Sequence, residues 1–347
     1  MSNIIGGIEG GATHSTLILM DTSGNVITTF KAEGTNHHLI GMEECRKRIA
    51  DLVNKAKIKA KIPLDTPLLA LGLSLSGCEL EESNNELVEG LKEKYPNLSP
   101  NIAIGSDTEG SVAATSSNGG LVSIAGTGSN TLLINPDGTR SQCGGWGYLL
   151  GDEGSAWDIA HRSIKTCFDA IDNLETPPHP IDAIWKKVQE YFDIVNQPDL
   201  LNIFYGPFCK AKIAGFCKEV SKLAGLGDPL AIHIFQEAGR YIAKSISAVY
   251  PKASPELTDR VEGLQVACVG SVWLSWCFLK EGFVRHIENN TDIDKLLLIR
   301  VISPGGLGAA YMACDKLKID VSRNYEENYE ILFRYERNRS SCKCIRS

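Results

Sequence analysis

The sequence contains no GxxxxGK[ST] motif, and the dipeptide Gly-Lys occurs nowhere in it. A P-loop is therefore excluded as a phosphate cradle. No GxGxxG follows a strand-like run: Gly145-Trp146-Gly147-Tyr148-Leu149-Leu150-Gly151 holds one residue too many for a dinucleotide fingerprint. No GxSxG elbow occurs, because Ser76 stands where the second glycine after Leu71 would fall. No CxxC pair is present. The eleven cysteines are scattered, and Cys342-Lys-Cys344 has no matching His or Cys pair, so a zinc site and a disulfide framework are both disfavoured. The cysteines read as reduced, mostly buried thiols. Basic clusters are missing and the net charge is −7, which argues against nucleic acid as a partner. The most apolar stretch, LQVACVGSVWLSWCFL, is too short and too broken by Gly and Ser to span a bilayer. The opening MSNIIGGIEGG lacks a basic n-region and does not read as a signal peptide. These absences leave a soluble, cytosolic protein as the expectation.

What is there is an ordinary globular composition, 43% apolar and 22% charged, spread over 347 residues. That length exceeds the size at which one core stops growing, so two domains are expected. Ile4 to Glu9, Thr16 to Met20 and Val26 to Phe30 read as three strands joined by tight turns. A helix over Glu43 to Ala60, a buried strand over Leu68 to Leu75 and a second helix over Asn84 to Tyr95 follow. Ile102 to Gly105 reads as a strand, and Gly110 to Thr115 as a short helix. Ser116 to Gly120 reads as a linker, after which Leu121 to Ala125 and Thr131 to Asn135 restart the strand pattern. Ser155 to Ile171 is periodic as a helix, and Asp228-Pro229 opens a long helix through Ile246. Gln265 to Val269 and Leu297 to Ile302 are strands that each run into a glycine turn and a helix. The charged, aperiodic tail after Ser322 is assigned no element. The expected domains are 1–117 and 118–317, with the segment from about 318 to 347 returning to the first.

The chain repeats itself. Residues 125–138, AGTGSNTLLINPDG, lie on residues 11–24, GATHSTLILMDTSG, at a constant offset. Thr127 falls on Thr13, Ser129 on Ser15 and Gly138 on Gly24. A glycine-rich hairpin leaves backbone N–H groups unpaired, and with small hydroxyl residues it makes an anion nest. Two such hairpins can hold a polyphosphate between them, with Thr13 and Thr127 facing the phosphates and Gly126 and Gly128 flanking the second threonine. Two carboxylates lie where a strand meets a helix, Asp107 and Asp152. From the residues alone the helix cap is the favoured reading of Asp107, with a group projecting into a cleft as the other, and Asp152 has the same ambiguity.

The ordered blocks GGATHS, SLSG, GSDTEGSVAA, IAGTGSN, CGGWGYLLGDEGSA, VACVGSVW and SPGGLGAA resemble N-acetylglucosamine kinases of animal type from the N-terminus to about Ala310. That family belongs to the actin, hexokinase and heat-shock chaperone ATPase superfamily. The resemblance implies an α/β fold of two ribonuclease-H-like domains with a ligand cleft, one phosphate hairpin in each. It implies ATP-dependent phosphorylation of the sugar's 6-hydroxyl with Mg²⁺, by a homodimer. Asp107 becomes the catalytic base. Asn36, Ser76, Ser129, Asn130, Gly145, Trp146, Gly147 and Asp152 become sugar-site residues, although an Asn before a helix is often a cap and a buried Trp is often plain core. Ala214, Gly270, Ser271 and Ser275 become the adenosine site, each being also consistent with helix packing. Glu9, where many relatives carry Asp, is implied to hold Mg²⁺ through water, the alternative being a surface ion pair. His37 and His38 are not expected to bind metal.

Two rivals remain. One is a kinase for a related sugar, N-acetylmannosamine or glucose, which the sequence does not separate. The other is a non-catalytic ATPase switch of the same superfamily. A chaperone would need a peptide-binding domain and an iron–sulfur activator clustered cysteines, and neither pattern is visible. Two features depart from the family. ISPGGLGAA is shorter than expected, and the tail from Asn324 bears little likeness.

Overall fold

In the computed structural model, residues 3–337 are described, apart from 12 and 79. The Cys342-Lys-Cys344 stretch lies outside the described residues. The chain divides into two compact units. The first comprises the chain up to Gly120 together with Ile299–Leu332, and the second comprises Leu121–Leu298 together with the chain from Phe333.

The sheet of the first unit has five strands: β1 (Ile4–Gly10), β2 (His14–Asp21), β3 (Val26–Glu33), β4 (Ala70–Leu75) and β5 (Ile102–Gly105). Their order is β3-β2-β1-β4-β5. β1, β2 and β3 form an antiparallel meander, while β4 runs parallel to β1 and β5 parallel to β4. All six residues of β4 are buried, as expected of a parallel strand covered on both faces. On one face Cys45, Ile49, Leu52, Val53 and Ala56 of helix Met42–Lys59 pack with Leu87 and Leu91 of helix Glu81–Lys94. The other face takes helix Leu307–Leu317, whose Leu307, Ala310, Tyr311 and Cys314 meet Ile5, Ile18, Met20 and Ala70.

The other sheet repeats this plan. It is built from β6 (Gly120–Ala125), β7 (Ser129–Ile134), β8 (Arg140–Gly144), β9 (Leu264–Val269), β10 (Lys295–Val301) and β11 (Tyr329–Glu336). The order β11-β10-β9-β6-β7-β8, read from its far end, matches the first sheet strand for strand, with β11 added beyond β10. The repeat of the glycine hairpin is thus the local trace of a duplicated topology. Helices Ala156–Ile171, Pro229–Val249 and Trp276–Asn290 belong to this unit. Asp228 caps the second of these, its Oδ1 accepting from Ala231 N at 2.8 Å, ahead of Pro229 at the first helical position. The last two pack backbone against backbone: a Cβ on Gly282 would stand 1.8 Å from Gln236 O.

Three sequence expectations require correction. The chain rejoins the first unit at Ile299, not near 318, because helix Leu307–Leu317 buries its apolar stripe on β1 and β4. The range 118–317 therefore does not form one unit. The tail, to which the sequence assigned no element, forms β11, and its described residues from Phe333 to Arg337 belong to the second unit. β11 is an edge strand, with Glu330, Arg334 and Glu336 on one face. Finally, the short helix expected from Gly110 begins at Asp107.

Arg337 holds the end of β11. Its guanidinium donates to the carbonyls of Glu288 (2.8 Å), Ile287 (2.9 Å), Thr291 (2.7 Å) and Ile293 (3.2 Å), at the C-terminal end of helix Trp276–Asn290. A cation there satisfies orphan carbonyls and suits the helix dipole. Arg337→Ala is expected to cost about 2 kcal/mol, on the scale of hydrogen bonds to a charged group. Thermal denaturation should show a Tm roughly 4–8 °C lower, and limited proteolysis should cut first near β11.

Candidate active site

The carboxyl ends of β1, β4 and β5 lie level, with Glu9 opposite Ser74 and Ser74 opposite Gly105. The residues that leave those strands therefore gather in one place, as ligand-binding residues do in parallel sheets. Glu9, Gly10, Gly11, His14, Thr16, Ser76 and Asp107 line a pocket of about 220 Å³.

Asp107 is the first residue of helix Asp107–Ala113 but does not cap it. Ser106 does, its Oγ accepting from Glu109 N. The Asp107 carboxylate is left to the pocket, where Ser76 Oγ donates to its Oδ2 at 2.5 Å. Ser76 is itself fixed by its N–H donating to Gly10 O at 2.8 Å. Burial pushes the Asp107 carboxyl above the ordinary carboxylate range, and the Ser76 hydrogen bond pulls it partly back. Glu9 is also pushed up, first by burial and then by the negative charge of Asp107. The alternative reading of Glu9, a surface ion pair, has no support among the described residues, where no salt bridge to it is found.

This arrangement predicts a pH effect. Ser76→Ala removes the hydrogen bond that favours ionised Asp107, so the Asp107 pKa rises further. If ionised Asp107 is the active form, the acid limb of the kcat/KM profile moves to higher pH. A profile whose acid limb stays in place would separate Ser76 from the titration of Asp107.

Asn36 is a cap, as one of its two readings allowed. Its Oδ1 accepts from His38 N at 3.0 Å at the start of helix His37–Ile40. It also borders the Ser76 turn, since a Cβ on Gly77 would lie 3.2 Å from that oxygen. His37 is buried with both ring nitrogens unpaired, and burial holds its pKa down. Thr13 is exposed on the β1–β2 turn, where Gly11 N donates to His14 O.

In the second unit the matching turn runs from Gly126 to Gly128. Gly126 N donates to Gly128 O at 2.9 Å, Gly126 O accepts from Ala156 N, and Thr127 stands exposed. Gly270, at φ +104°, seats directly behind it; a Cβ there would stand 2.4 Å from Ala125 O. Ser271 follows on the 3₁₀ turn Ser271–Ser275, which Trp273 anchors by donating from Nε1 to Ser123 O. Ser275 Oγ pairs with Ser221 Oγ at 3.1 Å. Ala214 is buried in helix Lys210–Gly215.

Asp152 is nearly buried and adopts φ +69°, unusual for a residue with a side chain. It does not cap the following helix; Ser155 does, accepting from Asp158 N. Its Oδ1 accepts instead from Ser129 N at 3.0 Å, and its Oδ2 from Lys210 Nζ at 2.5 Å. Ser129 Oγ donates to Glu153 O. Asn130 keeps a buried Oδ1 with no hydrogen-bond partner among the described residues. Gly144, Gly145 and Gly147 all have positive φ, and a Cβ on Gly145 would meet the Asn130 amide at 3.0 Å. Trp146 is 67% exposed, with Leu149 and Leu150 each 80% exposed, so Trp146 is not core. Sequence reasoning missed Lys210, which lies 58 positions from its partner Asp152 and in no motif.

Two sheets of one duplicated topology, each with a glycine hairpin after its first strand, define an actin-like ATPase fold. Residues 7–310 match the model of the BadF/BadG/BcrA/BcrD ATPase family, and the chain belongs to that family. It is 26% identical over 259 residues to an N-acetyl-D-glucosamine kinase of Dictyostelium discoideum, covering 71% of this chain and 79% of that one. It is 23% identical over 315 residues to an N-acetylmuramic acid/N-acetylglucosamine kinase of Clostridium acetobutylicum, covering 89% and 98%. Among solved structures, a candidate N-acetylglucosamine kinase from Chromobacterium violaceum shares the fold at TM-score 0.71 and 21% identity, covering 90% of this chain and 99% of that one. Among the described residues, no helix is long and apolar enough to cross a membrane.

Proposed function

We propose that the protein transfers the γ-phosphoryl group of ATP to the 6-hydroxyl of N-acetyl-D-glucosamine. The observation that carries this reading is Asp107: a carboxylate freed from capping by Ser106, held by Ser76 and pushed up in pKa inside a pocket. A carboxylate so placed suits the base that takes the proton as a sugar hydroxyl attacks phosphorus. The relatives named above supply the substrate class.

In this mechanism Asp107 orients the 6-hydroxyl and accepts its proton, and the hydroxyl oxygen replaces ADP on the γ-phosphorus. Asn36 offers its amide N–H groups to the sugar, since its oxygen already caps a helix. Asn130 offers its unpartnered Oδ1, Ser129 and Asp152 the polar edge of the hairpin, and Gly145 and Gly147 close backbone approach. Trp146 offers an exposed flat wall. Thr13, Gly126, Thr127 and Gly128 take phosphate oxygens, while Gly270, Ser271, Ser275 and Ala214 serve the adenosine. Glu9 and Asp107 form a hard oxygen set with unneutralised charge, which fits Mg²⁺ held through water by one or two carboxylates. The metal supplies neutralisation of phosphate charge. A cytosolic homodimer is the setting we propose, checked by light scattering.

The test is ATP consumption with N-acetylglucosamine, N-acetylmannosamine, glucose, N-acetylmuramic acid or no sugar. N-acetyl-D-glucosamine should give the highest kcat/KM and a 6-phosphate product. Consumption independent of every sugar would overturn the kinase reading and favour an ATPase switch.

A further inference from the structure

Lys210 is a charged side chain that lies against the glycine hairpin of the second unit and that no motif anticipated. A Cβ on Gly128 would stand 2.6 Å from Asp152 Oδ1 and 3.1 Å from Lys210 Nζ, so the pair packs directly against the hairpin. The same ammonium bonds Asp152 Oδ2, and the other oxygen of that carboxylate accepts from Ser129 N, the residue that ends the hairpin. Lys210, Asp152 and the hairpin are therefore one bonded unit. The lysine also lies 5.7 Å from the centre of the Tyr148 ring, which stacks on Phe208 at 4.9 Å. That aromatic shelf limits where the ammonium can swing.

The carboxylate side chain is 4% exposed and the lysine 29% exposed, so the cation keeps an open side. Asp152 holds its place in a left-handed backbone conformation, a strain that persists where surrounding structure imposes it and is concentrated at functional sites. An ammonium has three donors, and Asp152 uses one.

We infer that Lys210 is a phosphate-positioning residue. Its ammonium donates to a terminal phosphate oxygen of the nucleotide gripped by Gly126–Gly128, while Asp152 keeps it aimed. The inference rests on the reading that this chain binds ATP, but not on which sugar it phosphorylates. It changes the picture of a hairpin that grips anions by uncharged donors alone.

The experiment is nucleotide binding by calorimetry, without sugar, for the full chain and for Lys210→Met and Lys210→Arg. A charge-assisted hydrogen bond to a terminal phosphate predicts that Lys210→Met weakens ATP about 10–100-fold while leaving AMP unchanged. Lys210→Arg should restore most of the preference for ATP over AMP. A merely structural lysine would lower the affinity of ATP and AMP alike, and that result overturns the inference, as does ATP binding unchanged in Lys210→Met. Should Lys210→Met fail to fold, the wild type decides. ATP, but not AMP, should protect Lys210 from an amine-reactive reagent, and equal labelling with both overturns the inference. Wild-type protein that binds no ATP overturns this inference and the kinase reading together. Wild-type protein that binds ATP yet phosphorylates none of the sugars overturns only the latter.

Discussion

Asp107→Asn is expected to lower kcat with N-acetylglucosamine by about 10²–10⁴-fold, the usual contribution of a positioned general base. The substitution keeps shape and an oxygen able to accept from Ser76, so the pocket's geometry survives. Only the ability to take a proton is lost. Nucleotide affinity should be largely kept. Stability should move the opposite way from activity, and the sign follows from the pKa. The folded state holds the Asp107 carboxyl above its unfolded value. That contribution to stability is fully present below the unfolded pKa and is lost as pH rises through the folded pKa, because the folded protein disfavours the buried charge. At neutral pH the carboxylate is therefore a burden on the fold, and a neutral amide relieves it. Relief extends to Glu9, which no longer faces a second negative charge. The variant should be catalytically silent with an unchanged or higher Tm. Turnover within a few fold of wild type would remove Asp107 from the mechanism.

A second large effect is expected from Gly308→Ala. By helix propensity alone, the substitution in helix Leu307–Leu317 should stabilise by up to about 1 kcal/mol. Packing opposes it. A Cβ on Gly308 would stand 1.8 Å from the carbonyl oxygen of Gly110, in the very helix that begins with Asp107. Its neighbours are equally tight. A Cβ on Gly72 of β4 would stand 1.9 Å from Ala309 O, and one on Gly7 of β1 would stand 2.1 Å from Gly306 O. These obstacles are backbone atoms, so no side chain can turn aside to make room. Overpacking of this kind costs about 1–3 kcal/mol, occasionally more, and here the upper end applies because a whole helix must lift. The net outcome should be destabilisation by about 2 kcal/mol or more, with kcat reduced because the Asp107 helix shifts. Gly225→Ala is the control: its Cβ would meet nothing within 4 Å, so denaturation should show no loss. Equal stability of the two variants would refute the packing argument.

The turn Pro304-Gly305-Gly306 belongs to the same packing. Gly306 has φ +94°, and a Cβ there would stand 2.4 Å from Gly7 O. One on Gly305 would stand 2.2 Å from Glu9 Oε2. The turn thus presses helix Leu307–Leu317 onto β1 beside the acidic pocket.

Most strands and long helices were legible along the chain because their signals are local. Short apolar runs between tight turns mark the β1–β3 meander, apolar residues recur near 3.6 in Met42–Lys59, and Asp228-Pro229 marks a helix start. Capping was less legible. Ser106 and Asp107 are adjacent, as are Asp152 and Ser155 nearly so, and either member of each pair has the chemistry to cap. Only backbone direction assigned the cap to serine in both cases and released the carboxylates. The burial of Ala214 and the exposure of Trp146 were not legible, since neither position carries a period that reports burial.

The sequence by itself determined the duplicated hairpin, the order of strands and helices, and the strand-end positions of Glu9, Ser76 and Asp107, because each follows from contacts among residues near in the chain. The tertiary structure alone decided three things: that Ile299–Leu332 rejoins the first unit, that the tail adds an edge strand, and that Lys210 meets Asp152. The physical reason is common to all three. They depend on a helix finding a glycine-lined seat, an open sheet edge finding a strand, and a buried carboxylate finding a cation, and those partners lie too far along the chain for any local pattern to name them.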